Sequence, residues 1–182
     1  MKMNIIEKNM REQMISATIE ALQSVCENRF YQTERGYQGR FYCALQKALD
    51  DRGILNGDVI LELEYQKSAK HGLNQRPDII LHIPAELNEG NREINNFAVY
   101  ALKRRASRST AQEDFGKLDE MFERLNYPIG IFINIDSTLH HINNYSGNFK
   151  SRIIAFSVKR INNTISIKQA TWVNDIVNEI IL

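Results

Sequence analysis

The chain lacks most of the features that would place it in a functional class at once. Its wholly apolar runs last only a few residues, so no segment is long enough to cross a bilayer as a helix, and no membrane partner is expected. The opening Met1-Lys2-Met3-Asn4-Ile5-Ile6-Glu7-Lys8 turns polar too quickly for a secretory signal. Cysteine is scarce. Cys26 and Cys43 stand at no metal-ligand or redox spacing, and two lone thiols suit a reducing, cytoplasmic setting. The absence of a Gly-rich phosphate loop argues against an ATPase or kinase, and without a nucleophile elbow there is no case for a serine hydrolase. There is no internal repeat and no low-complexity segment. A large net charge is missing too: at +1, any phosphate binding must come from a local basic patch rather than from the global field.

What remains is the composition of a soluble globular protein, 43% apolar and 25% charged over 182 residues. That length suits one domain with a full core and is short for two. Ile6, Met10, Met14, Ala17, Ala21 and Val25 recur at three- and four-residue spacing and predict an amphipathic helix over about 4–27. Asn28 to Gln32 breaks it. A second helix is expected from about Glu34 to Asp51, with Tyr37, Phe41, Leu45 and Ala48 on one face and Gly53 as its stop, although Gly36 and Gly39 weaken its first turns. Val59 to Tyr65 alternates apolar and acidic residues as a strand does, and a polar loop, Gln66 to Gln75, follows.

Pro77 to Ile83 and Phe97 to Lys103 read as two antiparallel strands joined by a mobile connection rich in Asn, Glu and Gly, Pro84 to Asn96. Thr110-Ala111-Gln112-Glu113 has the form of a capping box, opening a helix that buries Phe115, Leu118, Phe122 and Leu125 before Pro128 ends it. Ile129 to Ile135 is almost continuously apolar, as in a strand covered on both faces. The crossover from Lys103 to Ile129 makes those two strands parallel and right-handed. Ser151 to Arg160 and Thr164 to Gln169 suggest a hairpin turned at Asn162-Asn163, and Trp172 to Leu182 reads as a short amphipathic helix. The fold class is therefore α/β, with a core order of helix, three strands, helix, strand.

Two of these strands carry chemistry. Arg76-Pro77-Asp78-Ile79-Ile80-Leu81 is followed about twenty residues later by Phe97-Ala98-Val99-Tyr100-Ala101-Leu102-Lys103. Pro77-Asp78 and Lys103, in this element order, resemble the PD-(D/E)XK nuclease superfamily. In that family the first strand presents an Asp, and the next presents an acidic residue, any residue, then Lys. The chain departs from the pattern at one position, Ala101, where the acidic residue would stand. The resemblance implies a restriction-endonuclease-like αβββαβ core with a mixed sheet over about 34–136, within a single domain of 1–182. The N-terminal helix and a C-terminal hairpin and helix over about 151–182 are additions to that core.

The resemblance further implies a Mg²⁺ or Mn²⁺ cofactor, with Asp78 as the surviving ligand and Ala101 at the vacant one. Leu102 would offer its backbone carbonyl, and Lys103 would orient the water or steady developing charge. Glu34 lies on the same helical stripe as Tyr37 and Phe41. It reads equally as an extra site carboxylate, which many members of the family supply from this helix, and as a helix-dipole partner after Thr33. Glu64 shares a strand face with Glu62, as a solvent-facing pair or a supporting carboxylate. Gln112 and Lys117 resemble positions that some members direct at the substrate phosphate, although surface solvation explains each as well. Arg104, Arg105 and Arg108, interleaved with serines before a helix N-terminus, form the best phosphate-contact cluster of the chain. His140-His141 has no cysteine or carboxylate partner at ligand spacing, so a metal pair there is disfavoured.

The expected function is metal-dependent hydrolysis of nucleic-acid phosphodiesters, DNA favoured over RNA, with the chain inactive as written because of Ala101. Two origins stand open for that alanine, an engineered truncation and a natural member that has lost catalysis. The alternative function is a non-catalytic nucleic-acid-binding or protein-interaction module on a nuclease-like frame. A homodimer or a partner subunit stays open, and fold-level analogy points to microbial defence or restriction.

Overall fold

The strand Asn96–Arg104 organises the chain, because it meets helices on both of its faces and strands on both of its edges. The computed structural model describes residues 5–63, 77–84 and 95–182, with side chains from Asn9 onward. Helix α1 (Ile5–Ser24), a short 3-10 turn (Asn28–Gln32) and helix α2 (Glu34–Asp50) precede strands β1 (Ile60–Leu63), β2 (Ile79–His82) and β3 (Asn96–Arg104). Helix α3 (Arg108–Leu125) and strands β4 (Gly130–Ile135), β5 (Ile153–Ile161), β6 (Thr164–Val173) and β7 (Ile176–Ile181) complete it. The seven strands among the described residues form one mixed sheet in simple chain order. β3, β4 and β5 run parallel to one another, and the outer pairs are antiparallel. No helix among the described residues is long and apolar enough to cross a membrane.

Period-two alternation divides the sheet between two cores. On one face Tyr100, Leu102, Ile131, Ile133 and Phe156 pack against Met14, Ala17, Tyr37, Phe41 and Leu45 of α1 and α2. On the other, Val99, Ala101, Phe132, Ile153 and Ala155 pack against Ala111, Phe115, Leu118 and Phe122 of α3. β4 is buried at all six positions, as its almost continuously apolar run predicts, and its parallel pairing with β3 follows the expected crossover. Glu64 and Tyr65 at the end of the first predicted strand, the loop of 66–75, and 85–94 of the β2–β3 connection lie outside the described residues.

Two expectations are corrected. Trp172 to Leu182 forms no helix: β6 runs on to Val173, and Asn174-Asp175 turns the chain into β7. Both turn residues adopt positive φ, 50° and 63°, the left-handed conformation that Asn and Asp tolerate and tight hairpins need. Asn162-Asn163 does the same at the expected first hairpin, with φ of 45° and 68°. The pairs Trp172-Val173, Ile176-Val177 and Ile180-Ile181 are β-formers, and an eleven-residue apolar pattern with a turn inside it does not distinguish the two periods. The second correction concerns α3. Its cap is Ser107, whose hydroxyl accepts from the Thr110 N–H at 3.2 Å, so the helix starts a turn before the predicted capping box. Ser107 is as good a cap as Thr110 and is the first one the chain reaches on leaving β3.

Glycine replacements separate tight packing from open backbone. A Cβ at Gly130, at the start of β4, would clash with the edge of the Phe122 ring, whereas one at Gly39, in the exposed part of α2, meets nothing within 4 Å. Gly130→Ala is expected to destabilise the protein by about 1–3 kcal/mol through overpacking. Gly39→Ala should instead stabilise it by about 0.5–1 kcal/mol through reduced unfolded-state entropy and better helix propensity. Urea melts of the two variants check both signs.

Candidate active site

β3 outruns β2. The ladder pairs Ile79 with Tyr100, so Ala101 to Arg104 extend beyond the end of β2 with one edge unpaired among the described residues. The odd-numbered N–H groups of β3 point toward β4, as the bonds Val99 N–H to Ile129 O (3.0 Å) and Arg105 N–H to Ile135 O (2.8 Å) record. The even-numbered ones point to the open edge, where two carboxylates receive them. Leu102 N–H donates to Asp78 Oδ2 at 2.6 Å, and Arg104 N–H donates to Glu34 Oε2 at 2.8 Å. A strand residue directs its carbonyl to the same edge as its N–H, so the Leu102 carbonyl faces this gap too. Two further steps of the register set Pro77 opposite Leu102, and proline has no N–H to offer that carbonyl.

Glu34 Oε1 also accepts from Lys103 Nζ at 3.2 Å, both side chains being 35% exposed. Asp78, Lys103 and Glu34 therefore converge at one end of β3. Gln38, one turn along α2 from Glu34, donates to the Asp78 carbonyl at 3.2 Å and ties the helix to the start of β2. Beside this edge lies a pocket of about 170 Å³ whose lining includes Asp78, Ala101 and Lys103 from the sheet and Asp114, Lys117 and Leu118 from α3. Glu34 is not part of that lining and meets it through Lys103.

The electrostatics are those of a carboxylate-rich, partly desolvated cleft. Burial pushes the Asp78 carboxyl up to about 6; the Leu102 N–H and the Lys103 ammonium work against this, and the Glu34 and Asp114 carboxylates add to it. Burial acts to lower the Lys103 pKa, but Glu34, Asp114 and Asp78 together outweigh it, so the ammonium holds its proton more tightly than usual.

Asp114 is the residue that sequence reasoning missed. It is only 5% exposed. Its Oδ1 accepts from Lys117 Nζ at 2.6 Å, and its Oδ2 is buried with no hydrogen-bond partner among the described residues. A signal was present: Ala111, Phe115, Leu118, Phe122 and Leu125 form a core-facing stripe, and Asp114 falls within it at a position that calls for an apolar residue.

The remaining candidates are distributed differently. Lys117 lines the pocket, but Gln112, two residues from Asp114 and so on another helix face, is directed at the Asn144 carbonyl at 3.5 Å. Arg104 donates to the Tyr31 carbonyl at 2.7 Å and pairs with Asp136 at 3.2 Å, and Arg105 pairs with the same Asp136 at 2.7 Å while staying 64% exposed. Arg108 is exposed at the start of α3. The two histidines have separate partners: His140 meets Glu179 at 2.8 Å, and His141 meets the Ala106 carbonyl at 3.0 Å.

Among the described residues no three His, Cys, Asp or Glu side chains form a ready metal cage. A Mg²⁺-class ion does not require one, since it keeps several waters and takes one or two carboxylates. Hard oxygen donors on the pocket wall, one of them a buried orphan, fit such an ion in kind. Compared with protein-family models, with curated proteins and with solved structures, the chain matches none.

The Asp78 shift has a stability consequence. Its folded-state value of about 6 lies above the ordinary 3.8, so the folded protein binds the extra proton between those limits and loses stability as pH rises through them. Asp78→Asn, which keeps an oxygen for the Leu102 N–H, is expected to raise stability at about pH 7.5 by on the order of 2 kcal/mol, and by little near pH 4. Urea melts at both pH values test this, and an equal effect at both would show that desolvation of the charge is not the cause.

Proposed function

We propose that this pocket is the active site of a divalent-metal-dependent nuclease on a PD-(D/E)XK frame, acting on phosphodiesters of nucleic acid, with DNA favoured over RNA. The observation that carries the reading is the convergence of Asp78, Lys103 and Glu34 at the overhanging end of β3, in the antiparallel-then-parallel strand context that the motif requires. Asp78 and the Leu102 carbonyl would hold the cation from the sheet. A bound Mg²⁺ or Mn²⁺ neutralises charge on the scissile phosphate and lowers the pKa of an attacking water.

The protein's own residues do the positioning. Lys103 presents a firmly protonated ammonium to the pocket, suited to steadying charge that develops on phosphate oxygens. Glu34 fixes that ammonium and the backbone beneath it, and so acts as a positioning residue. Lys117, 46% exposed at the rim, and Arg108, at the start of the same helix, are placed to meet the nucleic-acid backbone.

A second reading, a non-catalytic binding module, is favoured by one observation: Asp78 and Glu34 already serve as caps for the open edge of β3. The Ala101→Glu protein separates the two. As a nuclease it cuts plasmid or single-stranded DNA with Mg²⁺ or Mn²⁺ and stops with EDTA, and Asp78→Ala or Lys103→Ala in that background lowers the rate by at least about 100-fold. A folded Ala101→Glu protein that binds nucleic acid and cuts no DNA or RNA with any divalent metal would instead be a binding module.

Binding itself should follow the exposed cations of the basic loop. Arg105→Ala with Arg108→Ala is expected to weaken binding to all sequences and flatten the salt slope by about 1–2, because each phosphate left unneutralised takes about 0.9 from that slope. Arg104→Ala should chiefly lower the melting temperature, because it removes the bonds to Tyr31 and Asp136. Filter binding at several salt concentrations, with parallel melts, distinguishes these effects.

A further inference from the structure

The geometry points to Asp114 as the second carboxylate of this site, carried on α3 in place of the one absent at Ala101, so that the chain as written binds a divalent cation of the Mg²⁺ class between Asp78 and Asp114. This rests on the reading of the pocket as a cation-dependent phosphodiesterase site. The expectation of an inactive chain counts only the carboxylates carried by the strands. The pocket has another wall.

Three observations converge on Asp114. First, it stands among the apolar residues of α3 that face the sheet, 5% exposed, where an ionisable group is costly unless it is fully partnered. Second, the partnering is incomplete. Lys117 takes Oδ1 at 2.6 Å from a side chain that is itself 46% exposed, and Oδ2 remains buried without a hydrogen-bond partner among the described residues. A buried orphan oxygen is uncommon in native structures and wants a reason, such as an ion. Third, Asp114 lines the same pocket as Asp78, Ala101 and Lys103, and its charge is felt by both Asp78 and Lys103.

The two departures from expectation fit each other. Ala101 removes a carboxylate from the sheet wall and leaves only a methyl there, while Asp114 adds one on the helix wall facing the same space. Two carboxylates, a backbone carbonyl and waters make a sufficient oxygen set for Mg²⁺. In the absence of a cation, the Lys117 ammonium is the counter-ion of Asp114. A bound ion would compete with it and release Lys117 toward the pocket mouth.

Calorimetric titration with Mn²⁺ alone tests the inference, on the parent, Asp114→Asn, Ala101→Glu and the Asp114→Asn/Ala101→Glu double variant, each checked by its melt. The parent is expected to bind one Mn²⁺. Loss of a mere outer-shell partner costs about 10–100-fold in metal affinity, so Asp114→Asn should weaken binding at least about tenfold. The double variant should regain it, a rescue that a purely structural carboxylate would not show. If Asp114→Asn does not fold, Lys117→Met carries the test: tighter Mn²⁺ binding supports the inference, and unchanged or weaker binding overturns it. An Asp114→Asn protein that binds as the parent does overturns it as well. So does a parent that fails to bind while Ala101→Glu binds, and that result leaves the pocket reading standing. If neither the parent nor Ala101→Glu binds Mn²⁺, the cation reading of the pocket falls too.

Discussion

The structure turns on an overhang. β3 continues past the end of β2 and leaves the N–H groups of Leu102 and Arg104 on an open, partly buried edge. An unpaired backbone donor in such a place costs about as much as a missing hydrogen bond, so each must find an acceptor. Asp78 and Glu34 are those acceptors, one from the residue before β2 and the other from the first turn of α2. A structural demand thereby brings two carboxylates to the edge where Lys103 ends its strand. Pro77 completes the arrangement: a residue with an N–H at that point could continue the ladder and occupy the Leu102 carbonyl.

Charge gathered this way is held at a cost. The Asp78 carboxyl is desolvated and sits near two other carboxylates, and the single backbone N–H and the Lys103 ammonium do not fully offset this. Around Lys103 the balance reverses, because three carboxylates act on one ammonium. Sites where the protein alone leaves charge incompletely balanced are where an external ligand of the opposite sign gains most. The helices on the two faces contribute unequally. α1 and α2 bury the larger apolar layer, and α2 sends Glu34 and Gln38, from its first two turns, to the site. α3 covers the other face together with Ile142 and Tyr145, and the pocket opens between the helix and the sheet.

Much of this was legible in sequence because several signals agreed. For β4 an almost continuously apolar run, a preceding helix and the crossover rule all gave a parallel strand covered on both faces, and β4 is one. For β2 and β3, the short apolar runs and the residues between them gave the antiparallel pair. Where signals competed, tertiary context decided. The last eleven residues carry apolar pairs that suit either period, and only the positive-φ turn at Asn174-Asp175 commits them to β7. The start of α3 was ambiguous because Ser107 and Thr110 are both competent caps, and the chain leaving β3 meets Ser107 first.

The site was legible along strands and illegible across the layer. Asp78, Lys103 and Glu34 could be placed together from strand parity and a helix stripe, since each belongs to a pattern that repeats within its own segment. Arg104 looked like a free phosphate ligand because nothing near it in sequence reveals Asp136, which reaches it from the end of β4. Asp114 was hidden by the same limitation in reverse. Its stripe predicts burial, but only the packing of α3 on the sheet shows that the burial is opposite Ala101. A motif read along the chain registers the alanine at 101 at once, because that position has a fixed spacing from Lys103. A carboxylate arriving from a packed helix has no fixed spacing to obey. Its mark is chemical: an acid in a hydrophobic stripe, with one oxygen that the fold leaves without a partner.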